Sequence, residues 1–343
     1  MDLTIIIPTK DRFFFLKRIL NYYDSIKYIG VLLIIDSSET KIFEKQKKLI
    51  LNYKKLNCLH VYSRFTPLHA IKEHIELIKT NFVTYSGDDD YQMISGINEC
   101  ISFLRKNNNF ASARGKSYLF ELNNFCNQVM NIYDYDSYDY TSTNSLNRFK
   151  KFMQHPRAIT PNIWKTKIFK KSFDQLINFN EIDLCPDRYF YDEILLTSLL
   201  VVNGRVKILT NIQFIMTLNS KRVIDRNKWV KLDYDSIDKS LNYTIKKISY
   251  VISKNQRNHN KDINYIEVKN SLENFIFKKY IPALIKEKSF TLRNFIFNLL
   301  KRIQLYNLLK RIKKLFHKER ITYNIDDLKK NINFKQVFKN IEN

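Results

Sequence analysis

Three consecutive carboxylates are the residues of this sequence best suited to chemistry: Asp88, Asp89 and Asp90. They directly follow a short apolar run, residues 82–85, that is typical of a buried strand. Adjacent acids repel one another unless a cation neutralises them, and carboxylate oxygens suit Mg²⁺ or Mn²⁺ bridging a diphosphate. Asp88 and Asp90 can therefore aim at one metal ion. The competing interpretation is a solvated acidic turn that binds nothing.

Polar residues also follow two earlier predicted strands. Arg12 lies in the loop after residues 4–7, and Asp36 ends the run 31–35. If these strands are parallel, both loops lie at the same sheet edge as the acids, which is where ligands bind in open α/β sheets. Arg12 could contact phosphate, and Asp36 could accept hydrogen bonds from a base or ribose. Each is equally consistent with an ordinary loop or a helix cap.

The elements that must position these residues alternate between strands and helices, which predicts an α/β fold with a mainly parallel sheet. Residues 123–150 are polar with little periodicity, which predicts a long loop or an acceptor-side insertion. Residues 192–203 predict a buried helix capped by Gly204 and followed by a strand over 206–209. In the first part of the chain we predict strands at 4–7, 31–35, 59–62 and 82–85, and helices at 13–23, 42–53 and 67–79.

Four of these segments, in this order, resemble the family 2 glycosyltransferases of the GT-A fold. They are residues 5–12, the strand ending in Asp36, residues 82–90, and the acidic pair Asp192-Glu193 with its following helix. The third resembles the DxD motif of that family. The resemblance covers about residues 3–215 and implies an inverting, metal-dependent transfer from a nucleotide sugar to a surface polysaccharide or a lipid-linked glycan.

The resemblance also implies roles for individual residues. Asp88 and Asp90 would hold Mg²⁺ or Mn²⁺ and the diphosphate, and Asp89 would contact the ribose or donor sugar. Asp192 or Glu193 would be the catalytic base, although Asp192 is equally suited to a helix N-cap. The family often has two acids where Asp36 is followed by serines, and its usual Glu-Asp order is reversed here. The residues expected to line the nucleotide are Pro8, Thr9, Asp11, Arg12, Asp36, Asp88 and Asp89.

We expect a glycosyltransferase domain over residues 1–220 and a helical, basic region over 221–343. Between residues 289 and 320 the chain carries nine basic residues and one acidic residue, with apolar residues at steps of three and four. Such a helix can lie on an anionic membrane surface. It can equally pack on the main domain with its charged face in water.

Composition constrains the remaining expectations. The net charge of +24 attracts anions, although an AT-rich genome would also raise the lysine content. The four scattered cysteines predict reduced, mostly buried thiols. No signal peptide and no spanning helix is expected, so the predicted location is cytoplasmic, with peripheral contact at the inner face of the cell membrane.

Two alternative functions remain at this stage. A sugar-phosphate nucleotidyltransferase would share the sheet and the acids, but the first loop lacks a glycine-rich phosphate-binding run. A nucleic-acid-binding protein would share the positive charge and the aromatic residues, but no motif for binding nucleic acid is present, so no such partner is expected.

Overall fold

The computed structural model describes residues 1–65, 67–135, 137–156, 159–176, 194–218, 234–255, 261–276 and 323–342. Its strands are β1 (Leu3–Thr9), β2 (Val31–Asp36), β3 (Asn57–Tyr62), β4 (Phe82–Tyr85), β5 (Tyr91–Gln92), β6 (Ser112–Leu122), β7 (Val129–Asp134), β8 (Ile163–Lys165) and β9 (Val206–Leu218). Its helices are α1 (Phe13–Ser25), α2 (Thr40–Ile50), α3 (Pro67–His74), α4 (Ile94–Lys106), α5 (Ser145–Gln154), α6 (Thr166–Leu176), α7 (Leu196–Asn203), α8 (Tyr234–Asn255), α9 (Lys261–Phe275), α10 (Ile325–Lys330) and α11 (Ile332–Glu342).

The strands form one mixed sheet in the order β3-β2-β1-β4-β8-β6-β9-β5, with β7 paired to β6. The first four positions, β3 to β4, are parallel, and β6 and β9 are also parallel to each other. β8 is antiparallel to both of its neighbours and joins the two parallel parts. The predicted α/β fold with a mainly parallel sheet flanked by helices is confirmed.

Helices cover both faces of the sheet because the strands are apolar on both sides. On β1, Ile5 and Ile7 belong to one hydrophobic cluster, which includes residues of α1 and α4. Ile6 points to the opposite face and belongs to a second cluster, with residues of α3, α6 and α7. This alternation of successive side chains holds β1 rigidly between two helical layers. The carboxyl end of the strand is thereby fixed in place.

The predicted elements of the first 85 residues are confirmed, with shifts at their ends. Pro67 begins α3 as expected, and a 3₁₀ turn over Ile75–Leu77 completes the predicted helix. The prediction of a long loop at 123–150 is wrong, because β7 pairs with β6 as an antiparallel hairpin and α5 follows it. Asn144 caps α5 by accepting a hydrogen bond from the backbone N–H of Asn147 at 3.0 Å.

Gly204 follows α7 as predicted, but it does not act as a left-handed cap. Its φ is −160°, which is extended backbone open to any residue. Glycine is required there for space, since an added Cβ would lie 2.0 Å from Cβ of Ala111. The strand predicted to end at residue 209 continues to Leu218, so β9 reaches the same edge as the acidic run.

The described helices after residue 220 pack on the same two clusters. Phe334 and Phe338 of α11 are buried against Phe120 of β6, with ring centroids 5.9 and 5.4 Å away. Residues of α8 and α9 complete the other cluster. The boundary predicted at residue 220 stays a prediction, and the basic stretch 289–320 lies outside the described residues.

Two predictions from the sequence, on membrane-spanning helices and on the cysteines, concern the described residues. Among them, no helix combines the length and the apolar composition that spanning a membrane requires. Cys100 and Cys126 are buried free thiols, and Cys58 is a partly buried one, as expected. Cys185 lies outside the described residues.

Candidate functional site

The acidic run forms a turn at the carboxyl end of β4, which we call the carboxylate turn (residues 86–90). The backbone N–H of Ser86 donates to the carbonyl of Ile6 at 2.9 Å, and that of Asp90 donates to the carbonyl of Gly87 at 3.2 Å. An added Cβ on Gly87 would meet Asp89 Oδ1 at 2.9 Å and Asp90 Oδ2 at 3.0 Å. Glycine therefore leaves room for two carboxylates to fold back over the turn.

β1 delivers its loop to the carboxylate turn because β1 and β4 are parallel neighbours. Thr9, the last residue of β1, donates its hydroxyl to Asp88 Oδ2 at 2.7 Å. Thr9 is 5% exposed and Asp88 is 2% exposed, so water does not compete for this bond. The two residues are 79 positions apart in sequence, and the sheet register brings them together.

Arg12 bridges two of the three carboxylates. Its Nη1 lies 2.7 Å from Asp88 Oδ1, and its Nη2 lies 2.7 Å from Asp89 Oδ2. The guanidinium carbon sits 4.0 Å from the ring centroid of Phe15, one turn along α1, in a cation–π contact. Burial opposes the charge of Arg12, but Coulombic attraction from Asp88 and Asp89 raises the pKa of its guanidinium.

The third carboxylate is held by β9. The backbone N–H of Thr217 donates to Asp90 Oδ1 at 2.9 Å, and the Thr217 hydroxyl donates to the carbonyl of Asp89 at 2.9 Å. Sequence reasoning missed Thr217 because it ended this strand at residue 209. The largely apolar run over 212–216, with four apolar residues in five, was the available signal.

Burial dominates the protonation equilibria of the carboxylate turn. Burial and the neighbouring Asp89 raise the pKa of Asp88 to about 7, while Arg12 and the Thr9 hydroxyl limit the rise. Burial and Asp89 also raise the pKa of Asp90 well above its ordinary value, against the hydrogen bond from Thr217. The turn therefore binds protons more readily than three solvated acids would.

Asp36 is fully buried at the end of β2, and both of its carboxylate oxygens are engaged. Oδ1 accepts from the backbone N–H of Ser38 at 2.9 Å, and Oδ2 lies 3.0 Å from His60 Nε2. The His60 ring stacks on Phe43 at 4.6 Å between centroids. His60 was not singled out in the sequence, where a lone histidine on an edge strand carries no signal.

Asp11 connects the first loop to the second. Its backbone has a φ of 54°, a left-handed conformation that aspartate tolerates better than most residues. Its N–H donates to Ser38 Oγ at 2.7 Å, and its Oδ1 accepts from the backbone N–H of Glu39 at 3.0 Å. Pro8 is partly buried in β1 beside this loop. The structure thus brings all the expected residues of 8–12, 36 and 88–90 to one sheet edge.

A divalent cation does not fit the predicted pair Asp88 and Asp90 in this arrangement. Both oxygens of Asp88 already have partners, Thr9 and Arg12, and one oxygen of Asp90 accepts from Thr217. Within the part of the chain that the structure describes, no group of three or more His, Cys, Asp or Glu side chains is arranged to hold a metal ion. The metal role of the pair stays a prediction.

The predicted base cannot be placed. Asp192 and Glu193 lie outside the described residues, which resume at Ile194. Ile194 and Leu195 lead directly into α7 and are almost completely buried, at 2% and 0% exposure. The assignment of the base between the two acids therefore stays open.

Comparison with known proteins identifies the fold. TarS from S. aureus, residues 1–349 in complex with UDP, superposes with a TM-score of 0.53 at 12% sequence identity over 85% of this chain and 77% of that chain. A second TarS 1–349 structure gives a TM-score of 0.50 at 13% identity over 81% and 72% of the two chains. These neighbours are of GT-A type, and the expected fold class is confirmed.

A mannosyltransferase from Pyrobaculum calidifontis, in complex with GDP-Man and Mn²⁺, gives a TM-score of 0.44 at 8% identity over 91% of this chain and 83% of that chain. That score is too low to add to the assignment. No family model and no curated protein matches the chain. Membership of family 2 is therefore still a prediction from the motifs.

Proposed function

We propose that this chain is a glycosyltransferase that moves a sugar from a nucleotide-sugar donor to a glycan or lipid-linked glycan acceptor, with inversion at the anomeric carbon. The GT-A fold is that of the UDP-bound TarS structure, and it supports a nucleoside diphosphate as the donor's leaving group. Fold alone does not decide function, so the proposal depends on the chemistry of the site.

The single observation that carries the proposal is the polar site at the carboxyl edge of β1, β2 and β4. Arg12 and Thr9 from the first loop contact Asp88 and Asp89 of the carboxylate turn at 2.7 Å. Asp36 ends the adjacent strand at the same edge. Crevices at this edge are where α/β sheets bind nucleotides. A solvated acidic turn would have no need of a partly buried arginine and a buried hydroxyl.

We assign the binding roles by position. The loop of Pro8, Thr9 and Asp11 would border the nucleotide, and Asp36 would shape its base end together with His60. Arg12 supplies a planar set of N–H donors suited to phosphate oxygens. Asp89, which is 12% exposed, is the carboxylate of the turn placed to meet a ribose or sugar hydroxyl.

The transfer itself needs a carboxylate on the acceptor side. We propose that Glu193 or Asp192 removes the proton from the acceptor hydroxyl as that oxygen attacks the anomeric carbon. Mg²⁺ or Mn²⁺ would supply charge neutralisation at the diphosphate only if Asp88 and Asp90, whose oxygens already have partners here, were freed to hold it. From the sequence we retain a cytoplasmic location and contact of the basic stretch 289–320 with an anionic membrane surface as part of the proposal.

A donor screen tests this function. The full chain is incubated with a panel of nucleotide sugars, with and without Mn²⁺ or Mg²⁺, and release of nucleoside diphosphate is measured. We expect release from at least one donor and a loss of about tenfold or more in Asp90→Ala, in the range seen when a site carboxylate is removed. Asp24→Ala, an exposed acid on α1, is the matched control.

Two outcomes would count against the proposal. If no nucleotide sugar is hydrolysed or protects the chain from thermal unfolding, the donor class is wrong. If a sugar phosphate and a nucleoside triphosphate instead yield pyrophosphate, the chain is a nucleotidyltransferase.

A further inference from the structure

Arg12 makes the carboxylate turn a site that already contains a cation. Its two terminal nitrogens each meet a different carboxylate, Asp88 and Asp89, at the same distance of 2.7 Å. A guanidinium between two carboxylates offsets their mutual repulsion, as a bridging metal ion would. Arg12 therefore supplies the positive charge that the predicted metal ion would otherwise supply.

The position of Arg12 is built into the fold. The residue immediately precedes α1, and its side chain lies over the ring of Phe15, which is itself 3% exposed. Its Nε is buried and has no hydrogen-bond partner, so the side chain is held by packing and by its two ion pairs. The Arg12 side chain is 14% exposed and Asp88 is 2% exposed, so solvent screens the ion pair between Arg12 and Asp88 weakly.

Oxygen atoms limit what a second cation can do at this turn. One oxygen of each of Asp88 and Asp89 is committed to Arg12, and the other oxygen of Asp88 accepts from Thr9. Mg²⁺ and Mn²⁺ take several oxygen ligands at short distances. A metal ion therefore gains Asp88 Oδ1 as a ligand only if the guanidinium withdraws.

We infer that Arg12 is the resident cation of the carboxylate turn and that a divalent cation must displace it to bind Asp88. The inference rests on the proposed function for the identity of the competing ligand.

Mn²⁺ binding in the absence of any nucleotide tests the inference. Free Mn²⁺ is measured by electron paramagnetic resonance during titration of the full chain, of Arg12→Gln and of Lys10→Gln. Lys10 is an exposed residue of the same loop, so its substitution removes an equal charge without touching the acids. We expect Arg12→Gln to bind Mn²⁺ at least about tenfold more tightly than the parent, a typical size for coupled equilibria. Lys10→Gln should stay close to the parent.

Arg12→Lys is measured as well, in case Arg12→Gln does not fold. A lysine keeps the charge but cannot bridge two carboxylates with a planar fork, so an intermediate affinity is expected. Equal effects of Arg12→Gln and Lys10→Gln, or weaker Mn²⁺ binding by Arg12→Gln, would overturn the inference. If Arg12→Gln does not fold, an Arg12→Lys affinity no higher than the parent's overturns it.

The result is separable from the proposed function. Nucleoside diphosphate binding by the parent is measured in the same buffer by calorimetry. Competition at Arg12 without nucleotide binding would retain the inference and remove the proposed donor. Nucleotide binding without competition at Arg12 would retain the proposed donor and overturn the inference.

Discussion

At the scale of single residues, burying Asp88 lowers the stability of the fold, and the same buried carboxylate is chemically useful to the site. Its side chain is 2% exposed, next to a second acid, and its charge is stabilised by Arg12 and Thr9. Removing either partner leaves a buried acceptor without its donor, which costs about 1–3 kcal/mol for a neutral donor.

The pH dependence of stability follows from this burial. The pKa of Asp88 is about 7 in the folded chain, against an ordinary value of 3.8. A carboxyl with a raised pKa stabilises the fold while protonated, so its contribution is complete below about pH 4 and is lost as the pH rises through 7. In the parent, ionisation of Asp88 should lower the unfolding free energy by about 2 kcal/mol between pH 5 and 7. We expect Asp88→Asn, which has no carboxyl group to ionise, to lack this decrease.

Urea unfolding at a series of pH values measures this slope for the parent and for Asp88→Asn. The same slope in both proteins would show that Asp88 is ionised throughout this range in the folded state.

At the scale of elements, β9 and α4 determine the orientation of the acidic side chains of the carboxylate turn. Thr217 near the end of β9 holds Asp90, and α4 follows β5 directly after the carboxylate turn. α4 packs closely on β9 through Gly96, where an added Cβ would lie 2.3 Å from the carbonyl oxygen of Ile212. A backbone oxygen cannot move aside as a flexible side chain can, so the contact requires glycine.

Gly96→Ala should therefore destabilise the fold. Alanine is favoured over glycine within a helix by up to about 1 kcal/mol, but steric overlap with β9 costs about 1–3 kcal/mol or more. We expect a net loss of unfolding free energy, measured by urea unfolding. Asn98→Ala, at an exposed position of the same helix, serves as the control and should change little. A Gly96→Ala protein as stable as Asn98→Ala would show that α4 can shift without cost.

Much of this arrangement could be predicted from the sequence, for physical reasons that differ between elements. Strands β1 to β4 are short, apolar and bounded by turns, so their local pattern suffices, and parallel pairing then places Asp36 and Asp88 at one edge. The pairing of Arg12 with Asp89 spans 77 residues, and no local pattern reports which loop side chains meet. The hairpin of β6 and β7 was missed because polar residues mask its alternation.

At the scale of the whole molecule, the C-terminal region contributes to the core of the α/β unit. Val337 and Ile341 of α11 are buried at 0% and 1% exposure, in the cluster that also contains residues of α1 and β1. Burying such side chains contributes about 1.5–3 kcal/mol each. The described end of the chain therefore supports the helix that carries Arg12 to the site, whatever the basic stretch 289–320 contacts.

The central claim is that the carboxylate turn binds the donor nucleotide. Calorimetric titration of the full chain with UDP and other nucleoside diphosphates, in buffer containing Mg²⁺, tests it directly. We expect binding of at least one of them and an affinity about tenfold lower in Asp89→Asn, since a bond to a charged group contributes about 1.5–3 kcal/mol. Asp24→Asn should bind as the parent does. Equal affinity in Asp89→Asn and the parent, or no binding of any nucleoside diphosphate, would contradict the claim.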